Sequence, residues 1–317
     1  MQKIKYIYTF NYDKQESGLC KLESRCIFNE EEKNKLLFSN VKVEPSSSAF
    51  IKNRFDIVLF SEEYTVLINE IKNKNINIEG FKVEYLVFEG DTTEYKERLE
   101  KLRDIGYSIE GNPDYYNPII TYALCLFEGV WFFGVLNKDK FDWHKHKHKP
   151  NSYSNSISVN IAKSLVNIAA NGNKDKKIID ACCGVGTILL EACFSGFNTE
   201  GCDINEKICN DARGNLSYFN YSTNIYNSDI KDVSEKYDTA IIDLPYNLLS
   251  IATDNDISHI IESTTEITDR LIIVSIVDIT NLISKANLEI LDSCSVSKSG
   301  KRKFARKIWV CEKNGLV

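Results

Sequence analysis

From residue 157 onward, apolar runs of strand length alternate with stretches of helical periodicity, and this alternation restricts the fold more than any other feature. Ile157, Ile161, Leu165 and Ile168 fall on one helix face, with Ser156 placed as its N-cap. Strand Ile178–Ala181, helix Thr187–Phe194, strand Asn198–Cys202 and helix Asn205–Phe219 follow. Strands are then expected at Asn224–Tyr226, Thr239–Asp243 and Leu271–Val277. Repetition of this kind implies a mostly parallel sheet with helices on both faces. Glu289–Ser293 and Lys307–Cys311 are expected to finish the sheet as an antiparallel pair.

The first half has a different character. Strands are predicted at Lys5–Phe10, Asp56–Phe60 and Phe81–Phe88, and helices at Glu16–Phe28, Tyr64–Lys72 and Thr92–Ile105. Tyr122–Phe127 and Val130–Leu136 form a hairpin turned at Glu128-Gly129. This mixture is α+β. A chain of 317 residues is comfortable for two cores. The expected division is 1–136 as a smaller α+β domain, 137–155 as a polar, basic linker, and 156–317 as the α/β domain.

Charge and cysteine usage narrow the function classes. The net charge is −6, yet Lys138–Lys149 holds five lysines against two aspartates. Lys298–Lys307 holds Lys298, Lys301, Arg302, Lys303, Arg306 and Lys307 with no acid. Positive charge gathered on an acidic body suits a polyanion held on one face. Lys145, Lys147, Lys149, Lys301, Arg302, Lys303 and Arg306 are the candidate RNA contacts. Ten cysteines form no CxxC pair, so no metal site is expected. In an extended chain His144, His146 and His148 would share one face, with no acid or thiol placed to complete a metal site. No run approaches the roughly 20 apolar residues of a membrane span, and the N-terminus lacks a signal-peptide pattern, so a cytoplasmic protein is expected.

Asp180-Ala181-Cys182-Cys183-Gly184-Val185-Gly186-Thr187 lies between a buried strand and a helix. A glycine-rich turn there lets the backbone approach a ligand, and the helix start offers free N–H groups. Asp203 ends the next strand, where a doubly wound fold places a carboxylate on ribose hydroxyls. Leu189 stands where a dinucleotide fingerprint needs its third glycine, and no GKS or GKT follows, which excludes a P-loop. A methionine moiety needs no pyrophosphate cradle, so the shorter turn fits S-adenosylmethionine (SAM). Asp180, Cys182, Gly184, Gly186, Thr187 and Asp203 are the candidate cofactor residues. Asp229 joins them as a possible acceptor for the adenine amine.

Asp243-Leu244-Pro245-Tyr246 ends the fourth strand of this domain, at the edge where open α/β sheets carry their sites. A base amino group is a poor nucleophile because its lone pair is delocalised into the ring. The Asp243 carboxylate and the Leu244 carbonyl can accept its two N–H groups and localise that pair. Pro245 stiffens the turn, and Tyr246 is placed to stack on the base.

These residues resemble the class I SAM-dependent methyltransferases, in particular the amino-methylating group with an (Asp/Asn)-Pro-Pro-Tyr motif. The catalytic half is similar to the tRNA guanosine-10 N2-methyltransferase family. Lys149-Pro150, Ile161–Asn167, Asp180–Gly186, Asp203, Asp243–Tyr246 and the tail Arg302–Val310 carry that likeness. The resemblance implies a Rossmann-like class I methyltransferase domain with a mostly parallel seven-stranded sheet. Gly111-Asn112-Pro113-Asp114, Asn117-Pro118 and Gly129–Gly134 resemble that family's THUMP/ferredoxin-like RNA-binding segment, though the segment here is short for a full module. Leu244 departs from the motif's first proline, as in rRNA adenine N6-methylases with Asn-Leu-Pro-Tyr. The expected activity is therefore methylation of guanine N2, with tRNA as the RNA partner. Adenine N6 methylation of rRNA or DNA is one alternative, and a non-catalytic RNA-binding protein on a methylase scaffold is the other.

Overall fold

The computed structural model describes residues 4–153, 156–245, 253–297 and 305–315. In chain order the first elements are β1 (Tyr6–Phe10), α1 (Ser17–Phe28), β2 (Leu36–Ser39), β3 (Ile51–Ser61) and α2 (Tyr64–Asn73). Next come β4 (Phe81–Leu86), α3 (Tyr95–Gly106), β5 (Ile120–Phe127) and β6 (Val130–Lys138). A 3₁₀ helix at Asp142–His148 leads into α4 (Val159–Ala170), β7 (Lys177–Asp180), α5 (Thr187–Phe194) and β8 (Asn198–Asp203). Then follow α6 (Glu206–Tyr218), β9 (Ile225–Asn227), β10 (Thr239–Asp243) and α7 (Asp254–Thr265). β11 (Arg270–Ser275), α8 (Thr280–Lys285), β12 (Leu288–Ser297) and β13 (Ala305–Lys313) complete the chain. No described helix is long and apolar enough to cross a membrane.

Two compact units emerge. The first comprises Met1–Asn11, Glu32–Pro45 and Ile51–Lys140, and the second Tyr12–Glu31, Ser46–Phe50 and Phe141–Val317. The first unit is a six-stranded sheet in the order β2-β1-β3-β6-β5-β4, in which only β4 and β5 run parallel. Leu67 and Ile71 of α2, Ile105 of α3, and Tyr122, Leu124, Trp131 and Phe133 of the sheet form its apolar centre. The β5–β6 hairpin turns at Glu128-Gly129, both with positive φ, the geometry a two-residue turn needs to match strand twist.

The second unit is a seven-stranded sheet in the order β12-β13-β11-β10-β7-β8-β9. β7, β8, β9, β10 and β11 are parallel, and β13 is antiparallel to both its neighbours. Chain order reverses between β7 and β10, so the crevice of a doubly wound sheet opens at their C-terminal ends. β10 and β11 read as near-continuous apolar runs, with Ala240, Ile241, Ile242 and Leu271–Val274 all buried, as central strands covered on both faces require.

Sequence order alone places α1 with the first half, yet it packs within the second unit against α4. A buried polar cluster holds the pair. Glu23 accepts hydrogen bonds from Asn167 Nδ2 at 2.5 Å, Ser48 Oγ at 3.1 Å and Ser164 Oγ at 3.4 Å. Burial pushes its carboxyl up to about 7 despite those donors. The cap of α4 also differs from expectation. Ser158 rather than Ser156 accepts the Ile161 N–H.

The segment read as a linker is folded. Residues 142–148 form a 3₁₀ helix, where three residues make a turn, so Trp143, His146 and Lys149 share one face. All three are buried, while Lys145 and Lys147 point outward. His144, His146 and His148 therefore do not share a face, because the extended backbone that would align them is absent.

Candidate active site

Asp180 and Asp243 end adjacent parallel strands at the point where strand order reverses, with Asp180 registered on Ile241. Between β7 and α5 the chain passes Gly184 and Gly186 at φ +50° and +76°, a left-handed conformation that glycine adopts without strain. A Cβ at Gly186 would meet the Ala212 Cβ at 3.2 Å, so the turn sits close on α6. One at Gly184 would meet no protein atom within 4 Å. Thr187 is buried as the first residue of α5.

Asp203, at the end of β8, ties this turn in place. Its Oδ2 accepts the Gly184 N–H at 3.0 Å and its Oδ1 the Asn205 N–H at 2.9 Å. A carboxylate offers about four acceptor positions, so two remain for a ligand. Beside it opens a cavity of about 380 Å³ lined by Cys182, Asp203, Ile204, Asp229, Pro245 and His259, among others.

Asp229 caps the short 3₁₀ turn Ile230–Asp232 by accepting the Lys231 N–H at 3.1 Å, and it faces His259 Nε2 at 3.2 Å. Burial raises its carboxyl, but the Lys231 N–H and the His259 ring outweigh that and hold it below the ordinary range.

The deeper carboxylates lack such support. No well-formed hydrogen bond reaches either oxygen of Asp180, or Oδ1 of Asp243, among the described residues. Burial first, then the charges of Asp243 and Asp203, holds Asp180 well above the usual carboxylate range, and only the Cys182 N–H counters the rise. Burial likewise pushes Asp243 up to about 7, against the pull of Arg306. Leu244 is buried, and its N–H donates to the Val274 carbonyl at 3.0 Å, which fixes the peptide that follows Asp243. The site thus gathers acids, with no lysine or arginine among the described residues that line its cavity. It suits a ligand that brings positive charge and hydroxyl donors.

Every expected cofactor residue lies at this edge. Tyr246, Lys301, Arg302 and Lys303 lie outside the described residues. Two of the expected RNA contacts lie deeper than the basic runs suggest: Lys149 and Arg306 are 8% and 4% exposed. Lys149 is drawn inward on the buried face of the 3₁₀ helix, and Arg306 alternates inward along β13 between Ala305 and Lys307. Asp256, His259 and Ile260 of α7 line the cavity without having been singled out. A signal for them exists in Thr253-Asp254-Asn255-Asp256. There Thr253 accepts the Asp256 N–H and Asp256 accepts the Thr253 N–H, a capping box that announces the helix.

Residues 147–275 match the model of the UPF0020 family, described as the RMKL-like methyltransferase domain, and form a methyltransferase domain. The chain is 31% identical over 117 residues to the tRNA (guanine(10)-N2)-dimethyltransferase of Methanothermobacter thermautotrophicus. That alignment covers 36% of this chain and 34% of the relative, so the match spans about a third of the relative's length. Among solved structures, TrmN from Thermus thermophilus aligns over 97% of this chain and 99% of its own, at 15% identity and a TM-score of 0.48. The magnesium protoporphyrin IX methyltransferase of Synechocystis PCC 6803 with bound SAM aligns over 55% of this chain and 91% of its own, at 19% identity and a TM-score of 0.43.

Proposed function

We propose that this chain methylates an exocyclic amino group of an RNA base with SAM as the methyl donor, and that the target is guanine N2 in cytoplasmic tRNA. The observation that carries the reading is Asp243: a half-buried aspartate whose buried Oδ1 has no hydrogen-bond partner among the described residues, ending β10 beside a cavity already furnished with Asp203 and Asp229.

SAM fits the residues present. Its positive charge would answer Asp180, its ribose hydroxyls the remaining acceptor positions of Asp203, and its adenine amine Asp229. The turn at Gly184–Gly186 leaves room for close backbone approach, and Cys182 and Thr187 flank it. When bound, SAM supplies an electrophilic methyl group. Asp243, ionised, accepts one N–H of the base amine and the Leu244 carbonyl accepts the other, which localises the nitrogen lone pair for attack. The proton lost from the amine can pass to Asp243, whose raised affinity for it suits that task. Exposed Lys145 and Lys147 of the second unit, with the run at Lys301, Arg302 and Lys303, would hold the RNA through phosphates, and the first unit would add a separate hold.

The test is direct. Protein incubated with tRNA and isotopically labelled SAM should yield labelled N2-methylguanosine on nucleoside mass spectrometry. Labelled N6-methyladenosine instead would move the target base, and label in no nucleoside of tRNA, rRNA or DNA would sink the reading. For the cofactor, Asp203→Ala is expected to weaken both SAM and its demethylated product by about tenfold or more, the worth of a charge-assisted hydrogen bond. Unchanged calorimetric affinities would remove Asp203 from the cofactor site.

A further inference from the structure

A second cavity, of about 240 Å³, opens within the same unit and shares no lining residue with the first. Asp13 and Glu16 from the approach to α1, Ser156 and Ser158 from the approach to α4, and Arg306 of β13 contribute to its walls. Its position follows from pairing. The Thr239 hydroxyl at the start of β10 donates to the Ala169 carbonyl at the end of α4, so α4 runs back along β10 and begins at the edge that carries Asp243. Val274 of β11 pairs with both Asp243 and Ile308, so Arg306, two residues before Ile308, emerges beyond that same edge. The Arg306 charge acts on Asp243. Asp243, which lines neither cavity, thus lies at the sheet edge near Pro245 of the first and Arg306 of the second.

We infer that this second cavity receives the target base and that its lining selects guanine, a conclusion that rests on the methyl-transfer reading above and deepens it. Guanine presents N1–H and N2–H donors on one edge and O6 and N7 acceptors on another. Glu16 supplies an acceptor for N1–H while Asp243 takes the amine. Arg306 and the two serine hydroxyls supply donors for O6 and N7, and a guanidinium on those two atoms is the commonest specific contact to guanine. Arg306 is buried, so its charge is held at the cavity rather than spread over a surface. Adenine asks instead for an amide offering one donor and one acceptor. Asn160 is such an amide, but its Nδ2 already donates to Glu16 Oε1 at 3.1 Å, and Gln15, the other amide in the lining, is exposed. That bond also orients Glu16. The segment Tyr12–Glu31 thus supplies part of the base pocket of a unit whose remaining residues begin at Ser46.

The test titrates the full chain, saturated with S-adenosylhomocysteine, with three nucleotides: GMP, AMP and the 5′-monophosphate of 2-aminopurine riboside. The last keeps the 2-amino group and lacks O6. GMP is expected to bind about tenfold or more tightly than either. Arg306→Gln should cancel the preference over the 2-aminopurine nucleotide, and Glu16→Gln the preference over AMP, both with S-adenosylhomocysteine affinity unchanged. Arg306 is buried and its variant could unfold; Glu16 is half-buried and its variant then decides alone. Equal affinity of the parent for all three nucleotides overturns the assignment, as does a preference for AMP. Equal weakening of S-adenosylhomocysteine in the variants assigns the cavity to the cofactor instead. Because the readout is binding, a parent that shows these ratios but labels no RNA would overturn the proposed activity and leave the base pocket standing.

Discussion

Asp243→Ala is expected to slow methyl transfer by about a hundredfold to a thousandfold while leaving the affinity for S-adenosylhomocysteine nearly unchanged. The acceptor role of this carboxylate is exercised on the amine as it becomes a nucleophile, and interactions made chiefly in the transition state act on kcat. Loss of one preorganised polar partner of a reacting group typically has that magnitude. Asp243→Asn should retain more activity than alanine, since the amide oxygen still accepts. The parent rate should rise with pH through about 7, where Asp243 ionises, and the asparagine variant should lose that limb. Parental turnover by the alanine variant would remove Asp243 from the mechanism.

The same carboxylate has a cost in stability, and its sign is fixed. Its folded pKa of about 7 lies above the ordinary 3.8, so the folded state holds the proton more tightly than the unfolded chain. The stabilising contribution of that proton is complete below about pH 4 and is lost as pH rises through 7. At pH 8 the ionised, unpartnered oxygen costs on the order of 4 kcal/mol. Asp243→Asn should therefore raise Tm by several degrees at pH 8 and by nothing at pH 4. A variant that is both more stable and less active marks a residue kept for chemistry.

How much of this is legible in the sequence depends on the range of the interaction that decides it. The bounds of α5 at Thr187–Phe194 and of β10 at Thr239–Asp243 follow from local runs and turn residues, and the structure places them there. Asp180, Asp203, Asp229 and Asp243 are readable because a parallel sheet presents its strand ends at one edge whatever the side chains around them. β2 escapes notice because Leu36–Ser39 is four residues long and only its pairing with β1 identifies it. α7 was within reach through Thr253, Asp256 and the spacing of Ile257, Ile260 and Ile261. The assignment of α1 to the catalytic unit was not, because Glu23 meets Asn167 across 144 residues of chain. Lys149 and Arg306 show the same limit for charge. A basic run looks solvated in sequence, and only tertiary packing decides which of its members turn inward.

The basic run before α4 leads to the largest expected effect on stability. Glu191 of α5 is fully buried and accepts from His146 Nδ1 at 2.6 Å and Lys163 Nζ at 3.2 Å, both fully buried themselves. Lys163 also lies 4.4 Å from the centroid of the Phe194 ring. His146 Nε2 has no hydrogen-bond partner among the described residues, so the tautomer protonated on Nδ1, donating to Glu191, is the one this geometry favours. Donors from the 3₁₀ helix and α4 thus converge on one carboxylate of α5. Removing its charge by Glu191→Gln takes from the buried Lys163 ammonium the carboxylate it is hydrogen-bonded to, a change that typically costs about 3–5 kcal/mol. A fall in Tm of several degrees should follow. Replacing the pair together, Lys163→Met with Glu191→Leu, should recover most of that loss, because the desolvation of both ions disappears with them. α5 begins at the Gly184–Gly186 turn, so the single variant should also weaken SAM binding while the double variant restores it. A Glu191→Gln protein that melts with the parent, or a double variant no better than the single, would show that packing around Trp143 and Phe194 holds this corner without the ion pair.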